Sequence, residues 1–174
     1  MLRKTTIMSA LFISACAHAQ SPAPVAASAA VSQSASGKTN PGHHSDGVVR
    51  IVSAYSIDET VTRLEAALAA RSVKVMAKVD HAANAAGVEQ DLPPTTLVLF
   101  GNPAAGTQLM RASRSAGIDL PMKALVYEQN GAVMYEYNAI DYIARRHGIA
   151  GDMPVLAKIE GLLAAVAAEA TGVK

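Results

Sequence analysis

His81, Lys123 and His147 are the side chains of this sequence best suited to act as ligand, base or nucleophile inside a folded domain. His81 follows Val79 by two residues in an alternating apolar run, so its ring is expected to point the way the valines do, inward. His147 falls seven residues after Ile140, four after Ile143 and three after Ala144, on the apolar stripe of a helix that Gly148 would end. It too is expected to face inward. Two imidazoles lining one pocket, with Asp80 or Asn138 beside them, would suit a metal ion or the iron of a tetrapyrrole. Two ligands alone leave such a site incomplete, so Asp80, Asn138, water or the same residues of a second subunit would have to complete it. The plainer alternative has His147 bonding the last helical carbonyls and His81 packing at a strand end. Lys123 shares a strand face with Leu125 and Tyr127. There it is either an amine nucleophile of lowered pKa or a cation whose stem lies along apolar surface on its way to water. Tyr135 and Tyr137, on one face with Val133, read as cross-strand packing.

The run Thr95–Gln108, TTLVLFGNPAAGTQ, resembles the start of a phosphate cradle, because Gly101 and Gly106 have the G-x-x-x-x-G spacing. Thr107 stands where that motif needs lysine, and Pro103 removes an amide donor from the would-be loop. The same residues fit a helix start better, with Asn102 as N-cap and Pro103 in the first turn. No G-x-S-x-G, H-E-x-x-H or G-x-G-x-x-G pattern is present. Catalysis is not excluded by that, since sites assemble from residues distant in sequence.

Strands are expected at Val48–Ala54, over Val73–Asp80 with Val73, Val75, Ala77 and Val79 on one face, and at Thr95–Phe100. Ser56-Ile57-Asp58-Glu59 is a capping box, and Ile57, Val61, Leu64 and Leu68 form the buried stripe of the helix it opens. A short helix is expected near Ala82–Gly87 and another over Pro103–Ala116. Met122–Glu128 and Ala132–Asn138 flank Asn130-Gly131, a strong hairpin signal. Helices at Ala139–His147 and about Met153–Ala170 complete the order. The expectation is a single compact α+β domain over residues 47–172, with a mixed or antiparallel sheet and helices packed on one face.

Residues 1–19 carry a basic start, Arg3 and Lys4, followed by an apolar stretch too short to span a bilayer, and so read as an export signal. Ile13-Ser14-Ala15-Cys16 also resembles a lipobox, which would make residues 1–15 the signal and Cys16 the lipidated first residue. Ala17-His18-Ala19 offers an ordinary cleavage site instead. Cys16 is the one cysteine of the chain, so no disulfide forms within it. Residues 20–46, rich in Ala, Ser and Pro, read as a tether whose composition cannot offset the entropy of ordering. His43 and His44, with Asp46, are metal ligands only by type, in a solvated linker. Loss of residues 1–15 removes two of the 15 basic groups and leaves 13 against 14 acidic ones. The basic residues are scattered, so nucleic acid is not an expected partner. The location expected is the periplasm or, through a lipid anchor at Cys16, the outer membrane.

Val79-Asp80-His81-Ala82-Ala83, Pro94-Thr95-Thr96-Leu97 through Phe100-Gly101-Asn102-Pro103, Gly106-Thr107, Gly117 through Leu125, Tyr137-Asn138 and Arg146-His147 together resemble the family called domain of unknown function 302. The resemblance covers roughly residues 48–148, leaving the last helix mainly outside. It implies a compact α/β domain similar to members that form homodimers, and it implies no established activity. The functional expectation is an exported binding module for a small ligand, metal or tetrapyrrole. Its alternatives are an enzyme using Lys123 or a histidine, and a structural or partner-binding lipoprotein. No cofactor is specified by the sequence. The anchor is testable by intact-mass analysis of protein from membranes. A diacylated chain beginning at Cys16 is expected, and an unmodified chain beginning at Gln20 would remove the anchor while leaving export in place.

Overall fold

The computed structural model of the protein describes residues 46–173, so Cys16 and the expected signal and most of the tether lie outside the described residues. The chain runs β1 (Val48–Val52), α1 (Ile57–Ala69), β2 (Lys74–Asp80), α2 (His81–Ala86), β3 (Thr95–Gly101) and α3 (Pro103–Ala112). A 3-10 turn (Arg114–Ile118), β4 (Met122–Gln129), β5 (Ala132–Asn138), α4 (Ile140–Arg146) and α5 (Pro154–Thr171) follow. The strands form one sheet in the order β1-β5-β4-β3-β2. Every pairing is antiparallel, so the sheet is antiparallel and not mixed.

Local signals account for much of this. The Ser56 side chain accepts from the Glu59 amide at the start of α1, and Val61, Leu64 and Leu68 are buried along the expected stripe. Asn130 and Gly131 have φ of 54° and 78°. Two successive left-handed residues are what a two-residue hairpin turn requires, and Asn-Gly supplies them at least cost. Gly172, with φ 73°, ends α5 as a left-handed cap.

The alternation expected for β2 fails at a bulge between Val75 and Ala77. Val75 pairs with Phe100, on the helix-covered side, whereas Ala77 and Val79 pair with Leu99 and Leu97 on the other. An extra residue in one strand shifts the register and turns every later side chain to the opposite face. Hydropathy alternation alone does not show that shift.

The core lies between the sheet and the helices. Val98, Phe100, Met122, Ala124, Val126, Tyr135 and Tyr137 point from the strands into it, and Leu64, Leu68, Ile143, Leu163, Val166 and Ala167 meet them. Tyr135 and Tyr137 pack edge to face at 6.0 Å between ring centroids. The opposite sheet face carries the half-buried Leu97, Leu99, Leu125 and Tyr127. There Tyr127 donates to Glu136 at 2.8 Å, and Arg50 donates to the same carboxylate at 3.1 Å. Tyr127 has its pKa raised, first by burial and then by that carboxylate.

Tyr135 is fully buried, and its hydroxyl meets no hydrogen-bond partner among the described residues. Burial, with a smaller contribution from the Tyr137 hydroxyl, raises its pKa far above the usual tyrosine range. The native state therefore keeps this proton after the unfolded chain begins to lose it near pH ~10, so stability falls as pH rises above that value. Removing an unpartnered buried hydroxyl is expected to leave the protein at least as stable, with a gain of up to ~1 kcal/mol. Tyr135→Phe should also lessen the loss of stability between neutral pH and pH ~10.5. Denaturant midpoints at the two pH values measure both effects. A lower midpoint at neutral pH would mean that the hydroxyl is bonded after all.

Candidate functional site

The first turn of α3 is built as the proline and asparagine dictate. The Asn102 side chain accepts from the Ala104 amide at 2.9 Å, and Pro103 occupies the start of the helix. The Gly101–Gly106 spacing is thus the geometry of a strand entering a helix. These residues nevertheless face a cavity. Asn102, Pro103, Gly106 and Thr107 form one wall of an open cleft of about 300 Å³. Phe100 and Met122 close its sheet side, Met110 and Gly117 a second wall, and Ile159 and Leu162 of α5 the back. Met76, the residue at the β2 bulge, reaches its rim. None of the described residues lining it is ionisable. Asn102 and Thr107 supply the polar side chains, and everything else offered is apolar surface and backbone.

The segment from the 3-10 turn to β4 carries a second arrangement. The His147 side chain is only 6% exposed and the Asp119 side chain 12%. His147 Nε2 lies 2.6 Å from Asp119 Oδ2, and Nδ1 lies 2.8 Å from the hydroxyl of the exposed Ser115. A carboxylate only accepts, so in the neutral ring Nε2 carries the proton and Nδ1 accepts from Ser115. Ser113 Oγ stands 3.1 Å from Ser115 Oγ. Arg146 approaches the other Asp119 oxygen at 3.4 Å. Lys123 Nζ donates to the Asp119 main-chain carbonyl at 2.8 Å. Gly117 and Leu120, on the same stretch of chain, line the cleft.

The residues singled out in sequence are not gathered into one pocket. His147 is buried as expected, but its ring bonds Asp119 and Ser115 rather than helical carbonyls. His81 does not continue the strand inward. It is the first residue of α2, partly exposed, and Asp80 is the N-cap of that helix, accepting from the Ala83 amide at 2.9 Å. Asp80 pairs with Thr96, which pairs with Val126, whereas Asp119 precedes Met122 at the other end of β4. His81 and His147 therefore belong to opposite ends of the sheet, which overturns the expectation of a shared two-histidine metal or tetrapyrrole site within one chain. Asn138 ends β5 opposite Val48, half-buried, on the face away from the core helices. Lys123 does share its face with Leu125 and Tyr127, and its ammonium is held as a donor. Among the described residues no three His, Cys, Asp or Glu side chains gather as a metal site would require.

Ser115, Asp119 and the methionines of the cleft were not found by sequence reasoning. Asp119 lies 28 residues before His147 and Ser115 lies 32 before it, so no helical or strand period links them. The available signal was a histidine on a buried stripe, which needs polar partners from somewhere.

Comparison with known proteins bears on the fold and the family. The crystal structure of an uncharacterized conserved DUF302 protein from Bacillus stearothermophilus superposes with a TM-score of 0.65 at 20% identity, covering 71% of this chain and 98% of that one. This likeness concerns the fold. A protein of Brucella suis biovar 1 (strain 1330) called fluoride-specific ion channel FluC 1 is 38% identical over 118 residues, 66% of this chain and 46% of the relative. A protein of the same name from Brucella abortus biovar 1 (strain 9-941) matches equally, over 44% of its length. The chain thus spans less than half the length of these curated relatives, and no described helix is long and apolar enough to cross a membrane. The model of the family described as "Domain of unknown function DUF302" matches residues 49–166, which takes in most of α5 as well as the motifs noted in the sequence, and the chain belongs to that family.

Proposed function

We propose that this domain is a binding module for a small, neutral, largely apolar molecule, held in the cleft between α3, the 3-10 turn, α5 and the Phe100–Met122 end of the sheet. The observation that carries this reading is the lining itself: about 300 Å³ of concave, mainly apolar surface with Asn102 and Thr107 as its polar side chains. Ligand pockets have this character, with apolar walls for affinity and few polar groups for orientation. Met76, Met110 and Met122 add unbranched, polarizable side chains that adapt to the shape of an occupant. The cleft offers no cation to a phosphate, so a nucleotide is not its ligand. Export of the domain and a lipid anchor at Cys16 fit this role as envelope readings. The Brucella relatives suggest a second setting, in which such a domain accompanies a fluoride channel.

Gly106 gives a direct test. Its missing side chain opens onto the cleft, and an added Cβ would lie 3.8 Å from Leu120 Cδ1, in ordinary contact. Gly106→Leu is therefore expected to fold and to fill the cleft, whereas Gly106→Ala should leave space. With the neutral probe N-phenyl-1-naphthylamine, fluorescence titration should show saturable binding to the wild type and to Gly106→Ala. Gly106→Leu should lose about tenfold or more, corresponding to ~1.4 kcal/mol. Equal binding by all three proteins would reject the cleft as the site. Magnesium-dependent saturable binding of a nucleoside triphosphate would reject its assignment to neutral ligands.

A further inference from the structure

We propose that Ser115 is the nucleophile of an acyl-transfer site, with His147 as its base and Asp119 as the residue that positions His147. The geometry carries it. An exposed hydroxyl is backed by a buried imidazole at 2.8 Å, and that ring is held on its far side by a carboxylate at 2.6 Å. Nucleophile, base and orienting group within hydrogen-bond reach of one another are what activates an otherwise weak hydroxyl. Such constellations are recognised by geometry and roles, in whatever chain order they occur. Here the carboxylate meets Nε2 and the hydroxyl meets Nδ1. Asp119 thereby fixes the tautomer whose free lone pair faces Ser115.

His147 has one partner at each ring nitrogen, and one of those partners, the Ser115 hydroxyl, is open to solvent. Asp119 is itself held in place, since Arg146 approaches its other carboxylate oxygen and Lys123 donates to its main-chain carbonyl. The half-buried Ser113 hydroxyl stands beside the nucleophile, 3.1 Å from Ser115 Oγ.

The substrate class is a carboxylic ester. The Ser115 Oγ attacks the carbonyl carbon and its proton passes to His147 Nδ1, forming the Oγ–C bond. The ester C–O bond then breaks, and the leaving alkoxide takes the proton from Nδ1. Water, deprotonated by the same nitrogen, attacks the acyl-serine and releases the carboxylic acid with Ser115 restored. The assignment of an apolar acyl chain rests on the binding cleft proposed above, whose Gly117 lies two residues beyond Ser115 on the same turn. The nucleophile itself does not.

Diisopropyl fluorophosphate, which is small enough to need no cleft, tests the nucleophile on the full chain. Peptide mass spectrometry is expected to find one adduct on Ser115, absent in Ser115→Ala and retained in Ser113→Ala. Hydrolysis of p-nitrophenyl acetate should fall on the order of 10²–10⁴-fold in Ser115→Ala and in His147→Gln. Asp119→Asn should lower kcat and displace the pH profile of kcat/KM, a displacement that a mere loss of folded protein would not produce. Because His147→Gln can unfold the protein, the decisive variant is Ser115→Ala, which removes only an exposed hydroxyl. No adduct on Ser115, or ester hydrolysis unchanged in Ser115→Ala, overturns the proposal. Gly106→Leu separates the two readings, since it should lower the rate on p-nitrophenyl hexanoate relative to that on the acetate at least tenfold. If that ratio does not change while Ser115 is labelled, the cleft is not the acyl site and the nucleophile stands.

Discussion

The burial of α5 against α1 and the sheet is the contact on which the remainder depends. Leu163, Val166, Ala167 and Ala170 of that helix are almost wholly excluded from solvent, as are Leu64 and Leu68 facing them from α1. Each such Leu or Val contributes roughly 1.5–3 kcal/mol when fully buried, and no cross-link within the described residues supplements that gain. The alanines let the two helices approach closely. At the far end the Arg71 guanidinium bonds the Glu169 carboxylate and holds it below the usual carboxylate range. The pair is exposed, so it adds little to stability. The N-terminal half of α5 then does a second thing, because Ile159 and Leu162 form the back of the cleft. Core and site are one contact continued past the edge of the sheet.

The other cleft wall depends on a polar contact. Residues 113–122 cross from α3 to β4 through a short 3-10 turn, with few apolar side chains of their own in the core beyond Ala116 and Met122. What ties this segment to the body is Asp119, bonded through its carboxylate to His147 at the end of α4 and through its carbonyl to Lys123. A hydrogen bond to a charged group is worth about 1.5–3 kcal/mol, and losing one partner strands the other in a buried place. The same bond therefore holds the wall bearing Gly117 and Leu120, and it orients the ring that meets Ser115. Stability and any chemistry at Ser115 cannot be varied independently through Asp119. That is why a variant at the exposed hydroxyl is more informative than one at the carboxylate.

The parts legible in the sequence are those governed by neighbours in the chain. Asn102 with Pro103, Ser56 with Glu59, and Asn130 with Gly131 each fix a helix start or a turn through atoms within three residues, and each is where it was expected. The stripe of Val61, Leu64 and Leu68 is equally local. His81 lies where local pattern stops governing the chain. Alternation carried it inward with the valines, but the bulge before Ala77 had already turned the strand, and Asp80 capped a new helix. Periodicity extrapolates a register and cannot see an inserted residue or a cap that ends it. His147 was placed on the correct face, yet its partners come from a turn 28 and 32 residues earlier. The strand order, which no local pattern encodes, decides that this turn and the end of α4 meet.

Gly106 fits the proposed role of the cleft as a binding site. In the middle of α3 a glycine costs about 0.8–1.0 kcal/mol relative to alanine, because it loses more backbone freedom on folding. The fold does not demand it there. No positive φ is needed at this position, and an added Cβ would find only Leu120 Cδ1, at 3.8 Å. At Gly117, across the cleft, an added Cβ would lie 3.4 Å from Met110 Sδ, again a contact that a flexible thioether can absorb. Packing alone would favour alanine at both sites and a smaller void, since apolar side chains gain by filling space. Glycine at Gly106 and Gly117, with methionine at Met76 and Met110 around them, forgoes that gain on the faces that border the cleft. Stability is given up on both walls of the cleft, at Gly106 of α3 and at Gly117 of the turn that also carries Ser115.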